Sequence, residues 1–413
     1  MASKLMGFFQ RVHERVNSQC FVSGYRTKDT FFTRSTAKLP FSRLIAFALS
    51  NNRNSAQVAI INLFKELGDI AVVAKQSMFE ARLKISHKAF VELFNDNVIA
   101  IYEDMELEKW KGYRVIAIDG SVFEVPQSAL KDFGGQKTPA GCTAQARAVA
   151  FTDVFNQVLI SASLQPFKVG ERAIAIEMAE SFEMGPTDLY IFDRGFYSKE
   201  MCVKFSRNGA KYLFRIKSNC QKDIDSANLP DQTISVGGEL SLRVVNIVLP
   251  NGENVKLATN IFDENFTEAD FATLYEARWG VEVNFLMLKE RLQIENFTSG
   301  KKELVLQDFY AAALVYNLMN IACLLQMEER KKAGVDADNK HTYTPNRNVA
   351  THEIRNLMIK AVTEPNAKTR VKALRQAEEI ISRFVQPIRP GRNKPRGVKY
   401  PSKKFPMNRK GNT

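Results

Sequence analysis

The sequence predicts an α/β protein: a helical, basic N-terminal region followed by a sheet domain. Three observations carry that prediction. Short apolar runs, Val115–Ile118, Leu189–Phe192 and Tyr212–Ile216, read as buried strands. Helical patterns lie between the later strands, at Gly170–Phe182 and Lys199–Asn208. A segment of β alternation, about 217–266, is inserted before a long helical stretch.

The bulk properties bound the answer. With 413 residues, 45% of them apolar and 25% charged, the chain can bury a sizeable core and form two or three domains. A formal net charge of +13 and a pI near 9.4 favour a polyanionic partner, either nucleic acid or an anionic membrane surface. The cysteines, Cys20, Cys142, Cys202, Cys220 and Cys323, are scattered and form no CxxC. That pattern argues against a disulfide framework or a zinc site and suits a reducing cytoplasm. The N-terminal MASKLMGFFQRVHERV has charges breaking its apolar runs, unlike a signal peptide. Phe309–Met327 carries no charge and is long enough to cross a bilayer. Its Asn317, Asn320 and Gln326 and its many alanines favour a buried core helix, so no membrane partner is expected.

Residues 1–105 read as a helical DNA-binding domain. Phe41–Ser50 is a short apolar run before a turn at Asn51–Asn54. Val58–Leu67 has helical periodicity and stops at Gly68, a C-cap residue. Ser77 is placed to cap the next helix, with Glu80 completing a capping box. That helix offers Lys75, Gln76, Arg82 and Lys84, in the manner of a helix-turn-helix reader. A solvated basic helix is the plain alternative.

Residues 106–330 read as the sheet domain. Val115–Ile118 ends at Asp119-Gly120. A Gly-rich loop, then Ala144–Phe151 and Val158–Leu164, supplies a hairpin. Leu189–Phe192 ends at Asp193-Arg194-Gly195, and Tyr212–Ile216 is the fifth strand. Strand, hairpin strand, strand, helix, strand, helix, strand is the order of a ribonuclease-H-like domain. A strand buried on both faces cannot carry an unpaired carboxylate, but its end can, which singles out Asp119 and Asp193. The insert turns at Asn251-Gly252. Thr267, with Asp270 at the capping-box position, then starts a helix predicted to run from Glu268 to about Leu292. Residues 331–413 are helical and charged up to Val385. From Gln386 they hold nine Lys or Arg and no acid, a basic tail.

The long helix carries the most informative spacing. At about 100° per residue, Tyr275, Arg278, Glu282 and Lys289 fall within an arc of about 60°. Leu274, Val281, Phe285, Leu288 and Leu292 form a neighbouring apolar stripe. One edge thus packs, while the next presents an acid between cations. At about 1.5 Å per residue, Tyr275 and Lys289 stand roughly 10 Å on either side of Glu282, too far to share a metal but well spaced for phosphates. A solvated face with ion pairs is the alternative.

Tyr275, two residues, Arg278, three, Glu282, six, Lys289: this spacing resembles the signature of the insertion-sequence-four family of bacterial DDE transposases. The RW-G-VE, IDG and FDRGFYS blocks resemble that family's motifs too, over about Tyr113–Met327. The resemblance implies that Asp119, Asp193 and Glu282 are catalytic and bind two divalent metals about 4 Å apart, one at the attacking oxygen and one at the leaving oxygen. Hard oxygen ligands favour Mg²⁺, with Mn²⁺ as a substitute. It also implies cut-and-paste transposition through nick, hairpin and strand transfer. Arg278 and Lys289 would hold backbone phosphates, with Tyr275 supporting the same strand. The expected partners are double-stranded DNA, namely the element's terminal inverted repeats and the target, and a second copy of the chain when two ends are paired. The expected location is the cytoplasm, at the nucleoid. The family's base-stacking tryptophan has no counterpart in the insert: Trp110 and Trp279 lie outside it, and Phe262 replaces it or the stacking is absent. A ribonuclease-H-like nuclease that does not transpose, and an inactive transposase-derived DNA-binding protein, are the alternatives.

Overall fold

The computed structural model describes residues 2–34, 37–50, 55–69, 72–139, 141–249, 252–278, 285–335 and 341–388. The predicted turn at Asn51–Asn54, Glu282 with its neighbours, and the tail beyond 388 lie outside the described residues. The chain is a mixed α/β protein with a central sheet and divides into two compact units.

The sheet unit comprises residues 106–123 and 133–286. Its strands are β1 (Arg114–Glu124), β2 (Gly135–Thr138), β3 (Gly141–Asp153), β4 (Val158–Pro166), β5 (Asp188–Phe192), β6 (Lys211–Arg215), β7 (Asp231–Val236), β8 (Leu240–Val248) and β9 (Asn254–Thr259). They pair in the order β2-β3-β1-β5-β6-β9-β8-β7, with β4 also on β3. β1, β5 and β6 are mutually parallel, and β4 is antiparallel to β3. The apolar runs explain the centre: β5 is buried at every position, as a strand covered on both faces must be. The insert does not form a separate module. β9 pairs antiparallel with β6, so the insert's strands extend the same sheet. The helix Glu171–Glu180 packs on β3 and β4, and Lys199–Phe205 packs on β6.

Two elements depart from the sequence prediction. β1 does not stop at Ile118 but continues through Asp119 to Glu124. The burial changes there instead: residues 115–118 are buried and residues 119–122 are partly exposed. The predicted helix from Glu268 is described as far as Ala277, and residues 279–284 lie outside the described residues. Its end, Met287–Arg291, is a π-helical turn in which the Leu292 N–H donates to Met287 O, five residues back.

The helical unit comprises residues 1–105, 124–132 and 287–413. This grouping differs from the sequence division, which keeps residues up to 330 with the sheet. The cause is the helix Lys302–Lys332, which packs against Phe41–Ser50, Lys88–Asp104 and Arg347–Thr363. It is long and apolar enough to cross a membrane, yet 89% of its most apolar window is buried. Its apolar character is therefore used in a protein core. Gly68, at φ +69°, closes the helix Ala56–Glu66 in the left-handed region that favours glycine. Ser77 is not a cap. The helix Lys75–Arg82 starts earlier, and Gln57 Oε1 accepts from the Lys75 N–H at 2.9 Å.

Arg82 lies inside this unit, fully buried. Its guanidinium donates to Gln307 Oε1 at 3.1 Å, Thr298 Oγ1 at 2.8 Å and Asp308 Oδ1 at 2.8 Å. Asp308 Oδ2 accepts from the Thr298 N–H and hydroxyl, and Gln307 Nε2 donates to the carbonyls of Arg82 and Ile85. These hydrogen bonds satisfy the polar atoms of a buried ion pair, as its burial requires. Arg82→Ala would strand the buried Asp308 carboxylate. Urea denaturation should then report a loss of about 3–5 kcal/mol. A loss below about 1 kcal/mol, as for an exposed pair, would contradict this placement.

Candidate active site

The site begins with backbone register. β1 and β5 pair in parallel up to Ile118 opposite Phe192, and β5 and β6 pair up to Phe192 opposite Phe214. The Phe192 and Phe214 rings stack with centroids 4.3 Å apart. One residue further along these three strands stand Asp119, Asp193 and Arg215. Parallel neighbours in register project their side chains to the same face, about 4.8 Å apart between strands. Two acids and a cation therefore share one edge of the apolar core.

Asp119 is held from its own strand. The Gly120 N–H donates to Asp119 Oδ1 at 2.8 Å. Gly120 has a packing reason as well: a Cβ there would come within 2.6 Å of Glu171 Oε1. Glu171 pairs with Arg147 at 2.6 Å. An alanine at 120 would push against that ion pair, so glycine lets the strand lie close to the helix Glu171–Glu180.

Asp193 leaves β5 at a turn in which the Phe196 N–H donates to Asp193 O at 3.1 Å. Ser198 then caps the helix Lys199–Phe205 through the Met201 N–H. Asp193 Oδ1 is buried and has no hydrogen-bond partner among the described residues. A buried carboxylate oxygen without a donor is costly. A hard divalent cation would satisfy it, and all-oxygen donors suit Mg²⁺. Among the described residues no cluster of three His, Cys, Asp or Glu forms a metal site. Glu282, the third acid of the sequence prediction, lies outside the described residues.

The helix Glu268–Ala277 brings the next residues. Its start carries the predicted capping box: the Asp270 N–H donates to Thr267 Oγ1, while Asp270 Oδ2 accepts from the Thr267 N–H. Lys111 pairs with Asp270 at 2.7 Å and lies over the Trp110 and Phe266 rings. The Lys111 ammonium, together with the Thr267 donors, holds the Asp270 carboxyl below its usual range despite some desolvation. Tyr275 is buried, at 2% exposure. Its hydroxyl accepts from Arg215 Nη1 at 2.7 Å. The guanidinium carbons of Arg215 and Arg278 stand 5.5 Å and 5.6 Å from the Tyr275 ring centroid. Arg278 is itself buried, and its Nη1 is 4.0 Å from Asp119 Oδ2.

The structure thus brings Arg278 to both Asp119 and Tyr275, while Asp193 follows the β5 residue paired with Ile118. Lys289 is partly exposed on the π-helical turn of the other unit. Of the four residues predicted as DNA readers, Lys75, Gln76 and Lys84 are exposed, whereas Arg82 is sealed in the core and cannot serve. Arg215 was not singled out from sequence. Its signal was present all the same, as the charged residue within the apolar run Tyr212–Ile216. Phe262, the insert aromatic, is 48% exposed on a loop held by Arg243, which donates to the carbonyls of Ile261, Asp263 and Phe266.

The family described as Transposase DDE domain matches residues 110–318, half of the chain. "Transposase InsG for insertion sequence element IS4" of Escherichia coli (strain K12) is 23% identical over 287 residues, covering 64% of each chain. "Putative transposase y4zB" of Sinorhizobium fredii (strain NBRC 101917 / NGR234) is 26% identical over 185 residues. That match covers 40% of this chain and 49% of the relative, so the similarity spans about two thirds and half of these relatives' lengths. Among solved structures, a cryo-EM structure of piggyBac transposase in a synaptic complex with hairpin DNA aligns with a TM-score of 0.48 at 10% identity. That alignment covers 90% of this chain and 85% of the other. On the match across residues 110–318, this chain belongs to the family described as Transposase DDE domain.

Proposed function

We propose that this protein is a metal-dependent DNA transposase that cleaves the ends of its element and joins them to target DNA by a cut-and-paste route. The observation that carries this reading is the parallel register of β1 and β5, whose last pair, Ile118 opposite Phe192, directly precedes Asp119 and Asp193, together with the buried Asp193 Oδ1 that has no donor among the described residues. The β4-β3-β1-β5-β6 order supports a ribonuclease-H-like core around those acids. Glu282 is proposed as the third ligand on the strength of its spacing from Tyr275, Arg278 and Lys289.

Asp119, Asp193 and Glu282 would hold Mg²⁺, with Mn²⁺ as a substitute. The ions would supply Lewis-acid activation of an attacking oxygen and stabilisation of a leaving 3′ oxygen. The chain's own part is orientation and charge. The Gly120 N–H fixes one oxygen of Asp119. Arg278, and Lys289 further along, are proposed to hold backbone phosphates near the scissile bond, with Tyr275 acting through Arg278 rather than on the strand. The same carboxylates would serve hydrolysis when water attacks and joining when a 3′-hydroxyl attacks.

The net charge of +13 supports double-stranded DNA as the partner, namely the terminal inverted repeats and the target. Residues 1–105 are proposed to read the ends through Lys75, Gln76 and Lys84. Pairing two ends calls for a homodimer, and the site of action would be the cytoplasm at the nucleoid. The rival readings, a nuclease that does not transpose or an inactive DNA-binding derivative, differ in products and in metal response.

The direct test uses full-length protein and the inverted repeats that flank its gene. Asp119→Ala, Asp193→Ala and Glu282→Ala should each abolish Mg²⁺-dependent nicking, hairpin formation and joining while end binding stays near wild type. Normal cleavage by any one variant would remove that residue from the site. For end reading, a fragment of residues 1–105 is unsuitable, because it would lose Asp308 and leave Arg82 buried without its partner. In the whole chain, Lys75→Ala with Lys84→Ala should weaken end binding and lower its salt slope by about two units. An unchanged slope would move end recognition elsewhere in the protein.

A further inference from the structure

The geometry points to Arg215 as a positioning residue: it locks Tyr275, and the pair hold Arg278 as the counter-ion of Asp119 in the metal-free enzyme. This rests on the metal-site reading given above. Arg215 ends β6, at the register level of Asp119 and Asp193. Its side chain is only 11% exposed and its two ends are both engaged. Nη2 pairs with Glu253, and Nη1 donates to the Tyr275 hydroxyl at 2.7 Å.

The planar guanidinium suits this task, because its donors diverge in a fixed fork that an ammonium cannot reproduce. With the hydroxyl held, the Tyr275 ring is fixed between two cations: Arg215 at 5.5 Å and Arg278 at 5.6 Å from its centroid. A guanidinium near an aromatic ring is stabilised by the ring's quadrupole. Arg278 is thereby kept beside Asp119, its Nη1 4.0 Å from Oδ2, with a side chain 5% exposed. So close and so little hydrated, a positive charge offsets the carboxylate's charge and opposes a second cation there. A divalent ion entering at Asp119 therefore works against Arg278. A DNA phosphate that draws Arg278 toward itself would relieve that opposition, so metal loading and DNA binding would favour each other.

The test is Mn²⁺ titration of full-length, DNA-free protein, followed by electron paramagnetic resonance. Arg278→Gln removes the opposing charge and should tighten Mn²⁺ binding about five- to tenfold. Arg215→Lys and Tyr275→Phe leave net charge unchanged but break the same hydrogen bond. Each should tighten binding about two- to threefold, and the double variant no more than either single, since one contact is lost in all three. A merely structural Arg215 would lower the melting temperature and leave Mn²⁺ affinity alone, and that result overturns the proposal. Unchanged affinity in Arg278→Gln overturns the counter-ion role.

Asp119→Asn and Asp193→Asn separate the two layers. If they leave Mn²⁺ binding intact, the metal-site reading itself fails. The lock is then judged without metal, from the guanidinium resonances of Arg278 in protein labelled with ¹⁵N-arginine. They should shift in Arg215→Lys and in Tyr275→Phe. Resonances that stay put in both variants overturn the lock, whatever the metal does.

Discussion

Everything at this site depends on the parallel register of β1, β5 and β6. Parallel strands in register point equivalent residues to one face, so a single pairing decides whether Asp119, Asp193 and Arg215 meet. A slip of one residue would turn one acid to the opposite face. The buried residues just before them prevent that slip. Ile118, Phe192 and Phe214 have no exposed surface, and Phe192 stacks on Phe214. The hydrophobic core thus fixes the position of charged groups that it could not itself contain.

The rest of the sheet unit supports that row. The insert continues the sheet past β6 through β9, and Glu253, just before β9, holds the outer end of Arg215. The helix Glu268–Ala277 is anchored at its start by Thr267, Asp270 and Lys111, which fixes where Tyr275 and Arg278 emerge two turns later. The capping residues set the start of the helix that carries Tyr275 and leads to the guanidinium beside Asp119. Local helix chemistry is thereby coupled to the electrostatics of the site.

The acids were legible because each ends an apolar run, a pattern with a direct physical cause. The extent of β1 was not, since residues 119–122 are extended but partly exposed, and periodicity does not separate such chain from a loop. Arg82 misled for a similar reason. A basic residue on a short helix looks solvent-facing until its partner Asp308, 226 positions away, is brought against it. The role of Tyr275 also depended on a distant partner, because Arg215 lies 60 positions earlier. The π-helical turn at Met287–Arg291 has no separate sequence signal, since the same residues fit an α-helix equally well.

The central claim is that Asp119 and Asp193 bind divalent metal at the edge of this sheet. It is tested most directly by anomalous diffraction from crystals of the protein soaked in Mn²⁺. The account predicts an anomalous peak about 2.0–2.2 Å from a carboxylate oxygen of Asp119 and of Asp193, at close to hard-cation bond lengths. Crystals that take up Mn²⁺ elsewhere but show no peak between these two carboxylates would contradict it.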